Sequence, residues 1–164
     1  MAAGNTYVAL ATNTLSSTAA SVTFSSISGA YTDLVVVIHT KGTSAANPGL
    51  RFNGDTGSNY SSAVANGGGG TTTSFRYAST SILKSHNAGS AMNGVWTTFT
   101  ANIQNYSNAT TYKTVLTRYS PTAEVDFGVG IWVSTAAITS LTVITDSSTY
   151  DTGSTFTLYG IAAA

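Results

Sequence analysis

The stretch Val125-Asp-Phe-Gly-Val-Gly-Ile-Trp-Val133 decides the fold class. In an extended chain Val125, Phe127, Val129, Ile131 and Val133 fall on one side, and Gly128, Gly130 and Trp132 fall on the other. That period of two marks a β-strand. The same period recurs upstream. Val95–Ile103 carries Val95, Thr97, Phe99, Ala101 and Ile103 on one face, and Lys113–Tyr119 sets Val115, Thr117 and Tyr119 against Leu116 and Arg118. Leu34-Val-Val-Val-Ile38 is a continuous apolar run, as in a strand covered on both faces. Shorter candidates are Thr6–Ala11, Ser21–Phe24, Leu50–Phe52, Ser74–Tyr77, Ser81–Lys84, Ile138–Ile144 and Phe156–Ile161. Asn66-Gly-Gly-Gly-Gly70 reads as a loop or adaptable arm, and Asn87–Gly94 as another loop. No segment keeps a 3.6-residue apolar period over a useful length, so the expectation is an all-β, jelly-roll-like antiparallel sandwich of about 8–10 strands. It occupies residues 1–164 as one domain.

Composition narrows the function. Only 7% of residues are charged, against about 25% in an average domain, and the formal net charge is zero. Lys41, Arg51, Arg76, Lys84, Lys113 and Arg118 are scattered, so there is no basic stripe for nucleic acid. No apolar run is long enough to span a membrane as a helix, and Met1–Thr6 lacks the pattern of a secretory leader. Polarity comes instead from 22 serines and 29 threonines, which suit pleated strands with uncharged outer faces. A near-neutral surface of this kind promotes association, so the composition favours a chain that lives in an assembly.

Candidates for chemistry are few. Asp55-Thr-Gly-Ser58 and Asp151-Thr-Gly-Ser154 both spell the loop of an aspartic protease, which needs two carboxylates sharing a proton. Turn residues precede both, and not the apolar strands that would bury such a pair. The reading is therefore two tight turns, with Asp bonding its own backbone and Gly at positive φ. Asn53–Asn59 offers oxygens at alternate positions, as calcium loops do, but lacks their spacing and their downstream Glu. Histidines number two and cysteines none, which argues against structural zinc; His39 ends a strand and His86 reads as solvated. No catalytic, cofactor-binding or metal residue is assigned, and no cofactor is expected. Tyrosine, used nine times, suits interfaces. The residues expected at contacts are Phe75, Arg76, Tyr77, Met92, Trp96 and Tyr150.

Four segments carry a resemblance: Tyr31-Thr-Asp-Leu-Val-Val-Val37, Arg51-Phe-Asn-Gly-Asp-Thr-Gly-Ser-Asn-Tyr-Ser61, Ile103-Gln-Asn-Tyr-Ser-Asn-Ala-Thr-Thr-Tyr-Lys-Thr114 and Gly153-Ser-Thr-Phe-Thr-Leu-Tyr-Gly-Ile161. Together they resemble a family of small virion proteins of tailed bacteriophages, including cyanophages. The resemblance implies a sandwich without enzymatic activity and supplies no catalytic residue. Similar sequences occur both as free-standing capsid-associated proteins and as the ends of tail fibres; with the uncharged, threonine-rich composition, the expectation is a capsid decoration (cement) protein, a homo-oligomer (dimer or trimer) bound to the major capsid protein on the outer shell. The alternative it leaves is a tail-fibre or receptor-binding module that recognises a host glycan. Neither nucleic acid nor membrane is an expected partner.

Overall fold

The computed structural model describes residues 6–68, 70–86, 92–120 and 124–162. Among them are twelve strands and no helix. They are β1 (Tyr7–Thr14), β2 (Ser21–Phe24), β3 (Asp33–Thr40), β4 (Pro48–Phe52), β5 (Tyr60–Gly68), β6 (Thr71–Thr80), β7 (Leu83–Lys84), β8 (Thr97–Ile103), β9 (Lys113–Ser120), β10 (Glu124–Trp132), β11 (Leu141–Thr145) and β12 (Thr155–Ile161). Every pairing between these strands is antiparallel. One sheet has eight strands in the order β1-β12-β3-β8-β9-β10-β5-β6, and the other has four in the order β2-β11-β4-β7.

The order has a simple origin. Without the hairpins β5–β6 and β9–β10, eight strands remain, and they pair first with last: β1 with β12, β2 with β11, β3 with β8, β4 with β7. Alternate pairs go to opposite sheets, which is the wrapping of a jelly roll. The two hairpins, inserted at different points of the chain, meet through β10 and β5 and extend one sheet by four strands. The larger sheet therefore reaches past the smaller one.

The core fills the space between the sheets. Leu34, Val36, Ile38, Phe156 and Leu158 on one side meet Val22, Phe24, Leu141 and Val143 on the other. Toward the extension, Phe52, Tyr60 and Trp132 form an aromatic cluster with ring centroids 5.6–6.4 Å apart. The Phe52 amide donates to the Tyr60 hydroxyl at 3.0 Å, which satisfies a buried phenol.

Two expectations are corrected here. The strands number twelve against about 8–10, and the one with no counterpart among the candidate segments is β5, including Asn66–Gly68 from the segment expected to be a loop. Gly67 and Gly68 pair with Val125 and Glu124 on one side and with Thr72 and Thr71 on the other, so two partners hold the backbone that glycine leaves free. Of the loop expected over Asn87–Gly94, residues 87–91 lie outside the described residues.

Candidate interaction surface

Strand β10 turns its small side inward. Asp126, Gly128, Gly130 and Trp132 face the core, while Val125, Phe127 and Val129 face out and are 65%, 66% and 50% exposed. Glycine is required inside because Leu83 of the smaller sheet lies directly on the β10 backbone. A Cβ on Gly130 would sit 2.5 Å from Leu83 Cδ1. The large apolar groups are thus left on the outer face of the extended sheet.

Register defines the neighbours on that face. Phe127 stands between Arg118 of β9 and Ala65 of β5, and Val129 between Leu116 and Ala63. Leu116, Arg118 and Ala63 are exposed, and Arg76 of β6 is exposed opposite Ala63. The outer positions of β5 are all small (Ser61, Ala63, Ala65, Gly67), so the face dips along this strand. The result is a shallow groove of about 380 Å3 lined by Ala63, Ala65, Ser74, Arg76, Phe127 and Val129. A contiguous apolar patch of this kind, edged by arginines, has the composition of a protein–protein contact. A second cleft, of about 460 Å3, opens between the edges of β1 and β2; no charged or histidine side chain lines it.

The six expected contact residues fall in different places. Arg76 lies on the exposed face just described. Phe75 and Tyr77, its neighbours in sequence, alternate to the inner side and are half-buried, with Lys84 Nζ 5.2 Å from the Tyr77 ring centroid. Trp96 is 45% exposed, stacked on His39 at 4.9 Å between centroids and 8° between planes. Lys41 Nζ lies 5.4 Å from the same indole and is bridged to Asp151 at 2.9 Å. Met92 and Tyr150 were expected at contacts and are instead fully buried. Backbone bonds with Gly42 and Ala46 pin Met92 and seal the end of the sandwich with its side chain. Tyr150 exchanges both backbone bonds with Ala19 and sets its ring edge-on to Phe156 at 4.9 Å. Neither is exposed to a partner.

Both Asp-Thr-Gly-Ser segments are turns. The Asp55 carboxylate accepts from Gly57 N at 2.8 Å, Asn59 Nδ2 at 2.9 Å and Trp132 Nε1 at 2.7 Å. The indole bond above all, then the Asn59 amide, holds this carboxyl below its ordinary range. Positive φ falls one turn earlier than expected, on Asn53 (50°) and Gly54 (66°), and not on Gly57. At the second segment Gly153 has the expected positive φ of 85°, and Asp151 accepts from Thr152 N and pairs with Lys41. The two carboxylates have separate partners and share no proton. In the possible calcium loop, Asn53 Oδ1 is already taken by the amides of Thr139 and Ser140.

His86 differs from its reading as a solvated side chain. It lies just after β7, is 6% exposed, and its Nδ1 pairs with Asp126 Oδ2, itself buried on the inner side of β10. Asn66, the register partner of Asp126 on β5, donates from Nδ2 to Asp126 Oδ1 at 2.6 Å and to Glu124 Oε2 at 2.7 Å. One sequence signal was present: Glu124-x-Asp126 at two-residue spacing puts both carboxyls on one face of a strand. The glycines two and four residues further on mark that face as the inner one. Lys113 is also fully buried; its Nζ donates to the carbonyls of Thr111 (2.7 Å) and Thr135 (3.1 Å), and burial lowers its pKa.

No protein-family model matches the chain, and no curated protein matches it.

Proposed function

We propose that this chain is a non-enzymatic structural protein of a bacteriophage virion, a capsid decoration (cement) protein that packs on the outer shell through the open face of β9, β10, β5 and β6. The observation that carries the reading is the exposed row Val125, Phe127 and Val129, joined across register by Leu116 and flanked by Arg76 and Arg118. Such a row is costly to leave in water, and covering it on a shell removes that cost at each of many copies. The near absence of charge and the resemblance of four segments to small phage virion proteins support the choice of partner, the major capsid protein. Absence of enzymatic activity is supported by the two Asp-Thr-Gly-Ser turns, whose carboxylates are held apart by different partners. Assembly as a dimer or trimer is supported by the edge strands β1 and β6, which offer backbone groups to a neighbouring copy.

The test is co-sedimentation with purified shells that lack the protein. Saturable binding to shells is the expected result, and binding to tails alone would overturn it. A second reading, a tail-fibre or receptor-binding module for a host glycan, is favoured by one feature: the exposed Trp96 with Lys41 and Asp151 beside it. An indole face next to polar groups suits sugar stacking. Glycan-array binding that Trp96→Ala abolishes would favour that reading.

A further inference from the structure

We propose that His86, Glu124 and Asp126 form a binding site for a divalent cation of the zinc or manganese type. Three elements converge there. Glu124 and Asp126 project from the inner side of β10, Asn66 reaches across from β5, and His86 descends from the smaller sheet just after β7. One ligand atom of each of the three residues lies within 4.8 Å of the others. Around a cation at about 2.1 Å from each ligand, tetrahedral donors stand about 3.4 Å apart. The exposed Glu124 arm can supply the remaining closure.

Charge gives the second argument. Asn66 ties two carboxylates together through one amide nitrogen, and one of them, Asp126, is buried. Among the described residues no lysine or arginine pairs with either; besides Asn66, the side chain that meets them is His86, at Asp126. Like charges brought this close repel, and an amide donor does not neutralise them. A cation does.

The backbone is shaped for the arrangement. Gly68 is the register partner of Glu124, and a Cβ there would meet Glu124 Cγ at 2.5 Å. The missing side chain is the space in which Glu124 lies as it leans toward Asn66. The glycine run thus has a use beyond freedom of conformation. On the other side the ring of Tyr119 stands edge-on to His86 at 5.6 Å between centroids, which orients the imidazole.

One imidazole nitrogen with two carboxylate oxygens is a mixed donor set. It suits zinc or manganese better than calcium or magnesium, which take oxygen alone. A cation entering between His86 Nδ1 and Asp126 Oδ2 takes the place of the hydrogen between them, and the imidazole binds as a neutral ligand with its proton on Nε2. The site would clip the sheet extension to the smaller sheet directly behind Val125 and Phe127, and it stands whether or not that outer face meets a capsid.

Equilibrium dialysis of the full chain, stripped with a chelator and returned to micromolar Zn2+ or Mn2+, is the test, with melting temperature read in parallel. One ion retained per chain and a raised melting temperature are expected. Glu124→Gln, which removes one of the two repelling carboxylates, should melt no lower than the wild type without metal and bind at least about tenfold more weakly. His39→Gln should bind as the wild type does. Failure of the wild-type chain to retain either metal would overturn the proposal, as would equal retention by Glu124→Gln and by His86→Gln.

Discussion

Under the proposed docking to a phage shell, replacing Phe127 by threonine should weaken binding to shells while leaving the fold nearly untouched. Threonine keeps the strand preference of the position, so the change is confined to the apolar surface. Phe127 is 66% exposed. Aromatic side chains bury on the order of 200 Å2, so covering the exposed two-thirds removes about 130 Å2 from water. At about 25 cal/mol per Å2 this contributes about 3 kcal/mol to docking, or roughly a hundredfold in Kd at each site. The third already covered within the chain sets a ceiling of about 1.7 kcal/mol on lost stability by the same conversion. Binding isotherms from co-sedimentation with undecorated shells, beside urea unfolding of the free variant, separate the two numbers. A folded Phe127→Thr protein that binds shells as tightly as the wild type would refute the reasoning, because this face could not then be the one that is covered.

Three further outcomes follow from the interior. Gly130→Ala drives a Cβ to 2.5 Å from Leu83 Cδ1 and 2.7 Å from its Cγ, so overpacking should cost about 1–3 kcal/mol in urea unfolding; an unchanged midpoint would show that Leu83 can move away freely. Burial pushes the Tyr60 hydroxyl up to about 12 and raises Tyr119 and Tyr150 further. Because the folded chain keeps these protons longer than the unfolded chain, whose phenols ionise near 10, stability is complete below pH 10 and falls as pH rises beyond it. Ultraviolet titration should show these phenolates arriving together with loss of near-ultraviolet dichroism. Asp55 has the opposite sign: its contribution is present above its ordinary value of 3.8 and is lost as pH falls through the lower folded value. Trp132→Phe removes the largest cause of that shift and should raise the Asp55 pKa, read by carboxyl chemical shifts across an acid titration.

Much of the sheet was legible because alternation survives wherever one face is buried. Thr97, Phe99, Ala101 and Ile103 of β8, and Val115, Thr117 and Tyr119 of β9, all lie inside as their spacing implies. Strand β5 was invisible for a physical reason. Its outer positions are serine, alanine and glycine, so only Tyr60 and Val64 show a large apolar period. In β10 the period was plain but its direction was not, since hydrophobicity alone turns Phe127 inward. What reverses it is the close approach of Leu83 from a strand some 45 residues earlier, a non-local contact that only the Gly128 and Gly130 pair foreshadows. The same non-locality hid the site at His86. Its neighbours in sequence, Ser85 and Lys84, give no sign that Asp126 will meet it. Met92 and Tyr150 were misplaced because a large side chain beside a turn can close a sandwich end as readily as it can meet a partner, and here backbone bonds to Gly42, Ala46 and Ala19 settle the matter.

The most direct test of the proposed shell role is an electron cryomicroscopy map of phage particles carrying the protein, at a resolution that separates strands. The expected result is density on the outer capsid shell with the β9–β10–β5 face toward the shell and Val125, Phe127 and Val129 covered. Density on the tail, or on the shell with those three side chains facing solvent, would contradict it.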